Sequence, residues 1–133
     1  MELTREQAIA EHRKMWNWIA DETERLGNVV DKDDYFSRTE AITRIPTAEC
    51  FCCAYGEQFV DDKIKHIQQR CAHCPLVWDS HIDKAMCLCK EEYTDNNGLF
   101  GLWVDACTYG HVEKSVKLAR QIANLQERTD NIP

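Results

Sequence analysis

Residues 4–27 read TREQAIAEHRKMWNWIADETERLG, and this stretch decides the fold class. Thr4 with Gln7 three positions later is a capping-box pattern: the hydroxyl accepts from a free N–H of the first turn while the amide reaches back. Ala8, His12, Met15, Ile19 and Leu26 follow at steps of four, three, four and seven, which keeps them on one face of a helix. Trp16 and Trp18 flank that stripe on opposite sides and widen the apolar face. Gly27 is a natural C-terminal stop. His12 lies on the apolar stripe, where a histidine is more often a satisfied core residue than a ligand.

Downstream, Asp31 or Asp33 can cap a second helix carrying Tyr35, Phe36, Thr39 and Ile42, with Pro46 ending it because proline disfavours helix at the residue before it. Val60, Ile64 and Ile67 have helical spacing within residues 57–69. Asn96-Asn97-Gly98 signals a turn. Leu99 to Cys107 is an apolar helical run that Gly110 breaks or bends, and a final helix is expected from about His111 to Arg128, with Val112, Val116, Ala119 and Ala123 at its core. No convincing alternating strand occurs. The expected fold class is mainly α: a single helical domain over residues 1–133, with a four-cysteine zinc-bound insert between helices at about 48–78 and at most short β-ribbons at the metal knuckles.

That insert rests on cysteine spacing. Cys50-x2-Cys53, seventeen residues, then Cys71-x2-Cys74 is the pattern of a four-cysteine zinc site. Two thiolates separated by two residues can turn back onto one ion, and two such hooks complete a tetrahedron with Zn–S near ~2.3 Å. Four protein ligands leave no open position, so such zinc is structural and its binding free energy becomes folding free energy. Within the first hook Cys52 competes with Cys50 and Cys53, and His73 can replace a cysteine of the second. Cys87-x-Cys89 with Cys107 and His111 is the composition of a second site, although the x1 spacing is unusual and Cys107-x3-His111 straddles the helix break. The plainer alternative is that Cys107, with Cys87, is a small core residue. A Cys-x-x-Cys redox pair belongs near a βαβ unit, and the sequence contains none.

Bulk properties narrow the partners. The 133 residues carry 23 acidic and 16 basic side chains, a formal charge of -7, which disfavours a general phosphate-binding surface. Neither a basic arm nor an acidic tail is present. There is no apolar run long enough for a membrane span, and Met1 to Glu6 contain no apolar signal core, so a cytoplasmic location is expected. In that compartment eight cysteines point to metal binding or catalysis more than to disulfides.

No catalytic set is complete. Trp78-Asp79-Ser80-His81-Ile82-Asp83 is similar to the Asp-His region of zinc-bearing HNH nucleases, but Ser80 separates the acid from the histidine, and Asn96, Asn97 and His111 do not sit in the rest of that motif. Asp61-Asp62 and Glu91-Glu92 read as solvated faces. Trp16, Trp18, Trp78 and Trp103 are many for one small core, and tryptophan is enriched at binding hot spots, which singles out Trp18 on the flank of the stripe as an exposed anchor.

His12-Arg13-Lys14-Met15-Trp16-Asn17-Trp18-Ile19-Ala20, then Glu49-Cys50-Phe51-Cys52-Cys53-Ala54-Tyr55, then Cys71-Ala72-His73-Cys74-Pro75-Leu76-Val77-Trp78 resembles small, largely uncharacterised cysteine-rich zinc-knuckle proteins of phages and prophages of Gram-positive bacteria. The resemblance runs down to the final helix with Ala119, Ile122, Ala123 and Leu125. It implies a phage-encoded accessory protein in the host cytoplasm that binds and redirects a host enzyme or blocks a defence system. The expected function is therefore a zinc-stabilised, non-enzymatic protein-binding module with one structural Zn2+, homo-oligomers being compatible with it. A nucleic-acid-binding zinc module and a divergent HNH-like nuclease acting through His81 are the alternatives.

Overall fold

The computed structural model describes residues 3–39, 51–52, 55, 58, 75–76 and 99–127. These residues are mainly helical, with helices α1 (Arg5–Leu26), α2 (Lys32–Arg38), α3 (Leu99–Thr108) and α4 (Val112–Ala123) and no strand among them. Apart from Gln58, the expected helix within 57–69 lies outside the described residues, as does the turn at Asn96-Asn97-Gly98.

Helix α1 begins as its sequence dictates. The Thr4 hydroxyl accepts from the Gln7 N–H at 3.0 Å, and the Gln7 side chain accepts from the Thr4 N–H at 3.0 Å. It ends at Gly27, whose φ of 69° is left-handed and whose N–H returns to the Thr23 carbonyl at 2.9 Å. Its buried face holds Ala8, Ile9, His12, Met15, Trp16, Ile19, Ala20 and Thr23. Two details depart from the periodicity. Trp16 lies at the centre of the core and not on the flank, and Leu26 is exposed at the end of the helix, where Thr23 takes the buried position instead. The Thr23 hydroxyl accepts from the Val30 N–H at 3.2 Å, which fixes the turn towards α2.

Helix α2 is capped by Asp31, whose carboxylate accepts from the Asp34 N–H while Asp34 accepts from the Asp31 N–H, both at 3.1 Å. It stops well before Pro46. Thr39 turns to extended backbone at φ -133°; its N–H donates to the Tyr35 carbonyl at 3.0 Å, and its hydroxyl donates to the same oxygen at 2.7 Å.

Helices α3 and α4 are separated at Gly110, with φ 68°. Helix α4 ends five residues before the expected Arg128, and α1 supplies the reason. His12 Nε2 lies 2.8 Å from the Ile122 carbonyl oxygen, and Arg13 donates to the Ala123 carbonyl at 2.8 Å. Side chains of α1 thus take carbonyls that another turn of α4 would have needed.

Helix α4 packs on both α1 and α3, and α2 packs against α1. The Trp16 and Trp103 rings meet edge to face, 4.8 Å apart at 86°. A second aromatic series, Trp18–Tyr35–Phe36–Phe51, runs from α1 across α2 to the segment carrying the first cysteine cluster, with centroid steps of 5.5, 5.4 and 5.9 Å. Edge-on arrangements of this kind add roughly 0.5–1.5 kcal/mol per pair beyond area burial.

Candidate metal centre

The cysteines that define the expected site, Cys50, Cys53, Cys71 and Cys74, lie outside the described residues, as do His73, His81, Cys87 and Cys89. Their sequence neighbours are described. Phe51 and Cys52, inside the first hook, are both fully buried in the helical core, and Tyr55 joins them there. Gln58 is latched to the N-terminus: its side-chain oxygen accepts from the Leu3 N–H, and its side-chain amide donates to the Leu3 carbonyl at 3.0 Å. A glutamine placed in this way replaces a strand neighbour, satisfying both backbone groups of Leu3.

Beyond the second hook, Leu76 is buried in the same core and forms an isolated antiparallel bridge with Glu127. The Glu127 carboxylate lies 3.3 Å from Arg5 and 3.7 Å from Arg13. The segment inside the first hook and the residues just after the second are therefore seated on one core, each tied to a different end of the chain. Sequence reasoning missed both ties. Gln58 and Glu127 have no motif around them, and a long-range latch leaves no periodic signal.

Of the second proposed set, Cys107 and His111 are described. Cys107 is a half-buried reduced thiol on α3, and His111 is exposed at the start of α4, across the Gly110 turn, with its ring 6.1 Å from that of Tyr109. Burial, reinforced by the negative charge of Asp31, pushes the Cys107 thiol up to about 11. Near neutral pH it therefore packs as a protonated, weakly polar side chain. Among the described residues no group of three or more His, Cys, Asp or Glu side chains could hold a metal ion.

Buried polar side chains occur on α1 and α2. Glu11, His12 and Lys32 are all under a tenth exposed. The Lys32 ammonium stands 5.7 Å from the centroid of the Trp16 ring, a cation–π arrangement inside the core. Tyr35 is fully buried, and burial together with the nearby Glu11 carboxylate pushes its phenol up to about 12. Only the burial of His12 was legible in advance, from its place on the stripe.

Trp18 is half-buried, edge-on to Tyr35 and covered by the Arg38 guanidinium 5.1 Å from the centroid of its ring. Arg38 in turn pairs with Glu22, which also takes two hydrogen bonds from Arg25 at 2.7 and 2.8 Å. The Arg25 hydrogen bond, with Arg38 behind it, holds the Glu22 carboxyl down at about 2. The most exposed large apolar side chain among the described residues is Tyr109, at 71%. No helix among the described residues is long and apolar enough to cross a membrane. No family model matches this chain, and neither a curated protein nor a solved structure matches it.

Proposed function

We propose that this chain is a zinc-stabilised, non-enzymatic module that binds another protein, encoded by a phage and acting in the host cytoplasm on a host or defence protein. The observation that carries the zinc reading is the pair of Cys-x2-Cys hooks, Cys50/Cys53 and Cys71/Cys74. Its support in the fold is that Phe51 and Cys52, and Leu76 after the second hook, bury in one core. A core that takes the Cys52 side chain favours Cys50 and Cys53 as the ligands of the first hook. Four thiolates complete the coordination, so the ion's role is to fix the fold.

The binding reading rests on surface chemistry. The net charge of -7 works against a phosphate-tracking surface. Tyr109 stands out into solvent, whereas Trp18, expected as an exposed anchor, is half-buried beneath Arg38; tyrosine and tryptophan are the residue types that anchor protein interfaces.

Elemental analysis of the purified chain tests the metal. A single zinc ion per chain is expected, lost in Cys50→Ser and in Cys71→Ser and kept in Cys52→Ala. Zinc-free protein with an unchanged fold would remove the metal from the reading. Capture from host lysate should recover a specific partner whose binding weakens in Trp18→Ala or Tyr109→Ala. Salt-sensitive DNA or RNA binding, or divalent-dependent nicking lost in His81→Ala, would replace the protein-binding reading.

A further inference from the structure

The turn between α3 and α4 presents an exposed aromatic side chain on a fixed backbone. The N–H groups of Tyr109, Gly110 and His111 donate to the carbonyls of Asp105, Cys107 and Ala106 at 3.1, 3.2 and 2.8 Å. With Gly110 left-handed at φ 68°, these bonds close the end of α3 locally. Tyr109 is 71% exposed, and its ring lies 6.1 Å from that of His111. His111 is also exposed and heads α4 without a side-chain capping bond. Lys114 and Lys117 follow at steps of three, so each is the surface neighbour of the one before.

These two lysines differ from the other described cations. Arg5, Arg13, Lys14, Arg25, Arg38 and Arg120 all pair with carboxylates, and Lys32 lies over the Trp16 ring. Lys114 and Lys117 are exposed, and neither enters an ion pair among the described residues. Glu113 is the one acidic side chain of α4, and it is bridged to neither of them. On a chain of net charge -7, two uncommitted ammonium groups beside an aromatic anchor offer carboxylates a partner without breaking an existing pair.

We propose that the Tyr109–His111 turn and the Lys114–Lys117 face of α4 dock an acidic segment of a partner protein. That segment sets an apolar side chain on Tyr109 and carboxylates on the two lysines. The inference rests on the protein-binding reading above and names the partner's chemistry. A phosphate backbone fits less well, because its binding grows with the number of phosphates neutralised and this face supplies only two lysines. The locally closed turn holds the anchor in place before the partner arrives, which lowers the ordering cost of binding.

Selection from a random peptide library on the full-length protein tests this. Enriched peptides should combine Asp or Glu with Leu, Phe or Trp. A synthetic peptide of that composition should bind the Lys114→Glu, Lys117→Glu double variant about tenfold more weakly than the wild type. Tyr109→Ala should weaken it by a similar factor, about tenfold. The Lys114→Arg, Lys117→Arg variant should keep the affinity. Both positions are exposed, and an acid in the first turn of α4 suits the helix dipole, so the charge-reversed chain should stay folded. Wild-type binding should weaken with added salt, and the charge-reversed protein should lose that dependence. Enrichment of peptides without acidic residues, no enrichment at all, or full affinity in the charge-reversed protein would overturn the proposal. Self-association that sedimentation finds in the wild type and not in the charge-reversed protein would assign the face to a second copy of the chain instead. A protein partner bound equally by the wild type and both loss variants would remove this face and leave the protein-binding reading intact. Tighter binding of duplex DNA than of any peptide would overturn both.

Discussion

The side of α1 that faces α3 and α4 and the side that faces α2 are held by different physics. On the first, Trp16 packs edge-on against Trp103, Met15 and Ile19 are fully buried, and His12 and Arg13 close the end of α4. On the second, α2 has only seven residues and lies against α1 through Trp18, Tyr35, the Lys32 ammonium and the Glu22–Arg38 pair. A helix that short is unstable alone, so α2 depends on its caps and on these contacts. The first seam is set by shape and burial. The second relies more on partnering of polar groups, although the first also carries the exposed Arg120 pairs with Asp21 and Glu24.

Breaking the first seam should have the largest effect. Trp16→Ala should cost about 3–5 kcal/mol in denaturant unfolding. A loss under ~1 kcal/mol would mean that the core is looser than the Trp16–Trp103 contact implies. His12→Leu keeps the volume but removes the group 2.8 Å from the Ile122 carbonyl, and should cost roughly 0.5–1.5 kcal/mol for the lost buried hydrogen bond. It should also raise amide exchange at the end of α4.

The second seam should respond more gently. Asp31→Ala removes the cap of α2 and should cost about 1 kcal/mol, with the near-ultraviolet signal of Trp18 and Tyr35 reporting the loosened contact. The smallest effect is electrostatic. The Glu22 carboxyl lies at about 2, well below the ordinary 4.5, so its contribution is complete above 4.5 and disappears as pH falls towards 2. Glu22→Gln should lower the melting temperature slightly near neutral pH, and the gap to wild type should close in acid and shrink in high salt. A gap that stayed constant with pH would show that the Glu22–Arg25–Arg38 group is not what holds this side. Trp16→Ala should show no such pH dependence, which separates the two seams by experiment.

The same contrast marks what could be read along the chain. Thr4, Gln7, Gly27, Asp31 and Gly110 act through their own few neighbours, so the helix starts and breaks they encode were legible from spacing. The mainly helical class followed from them, as did the burial of His12 on the stripe of α1. The hooks at Cys50/Cys53 and Cys71/Cys74 are equally local in sequence, and they point to a zinc site because two-residue spacing suits tetrahedral thiolate coordination.

The tertiary structure decided everything that required two distant segments to meet. It moved Trp16 from the flank to the centre, because Trp103 waits on the other side. It ended α4 at Ala123, because His12 and Arg13 arrive from more than a hundred positions away to take its carbonyls. It stopped α2 at Thr39, and it placed Lys32 against Trp16. It tied Gln58 to Leu3 and Leu76 to Glu127, so that the residues around both hooks share one core. Periodicity and capping are properties of a few successive residues and survive in the one-dimensional record. The closing of a helix end by a remote side chain is not, since it depends on where packing brings that side chain.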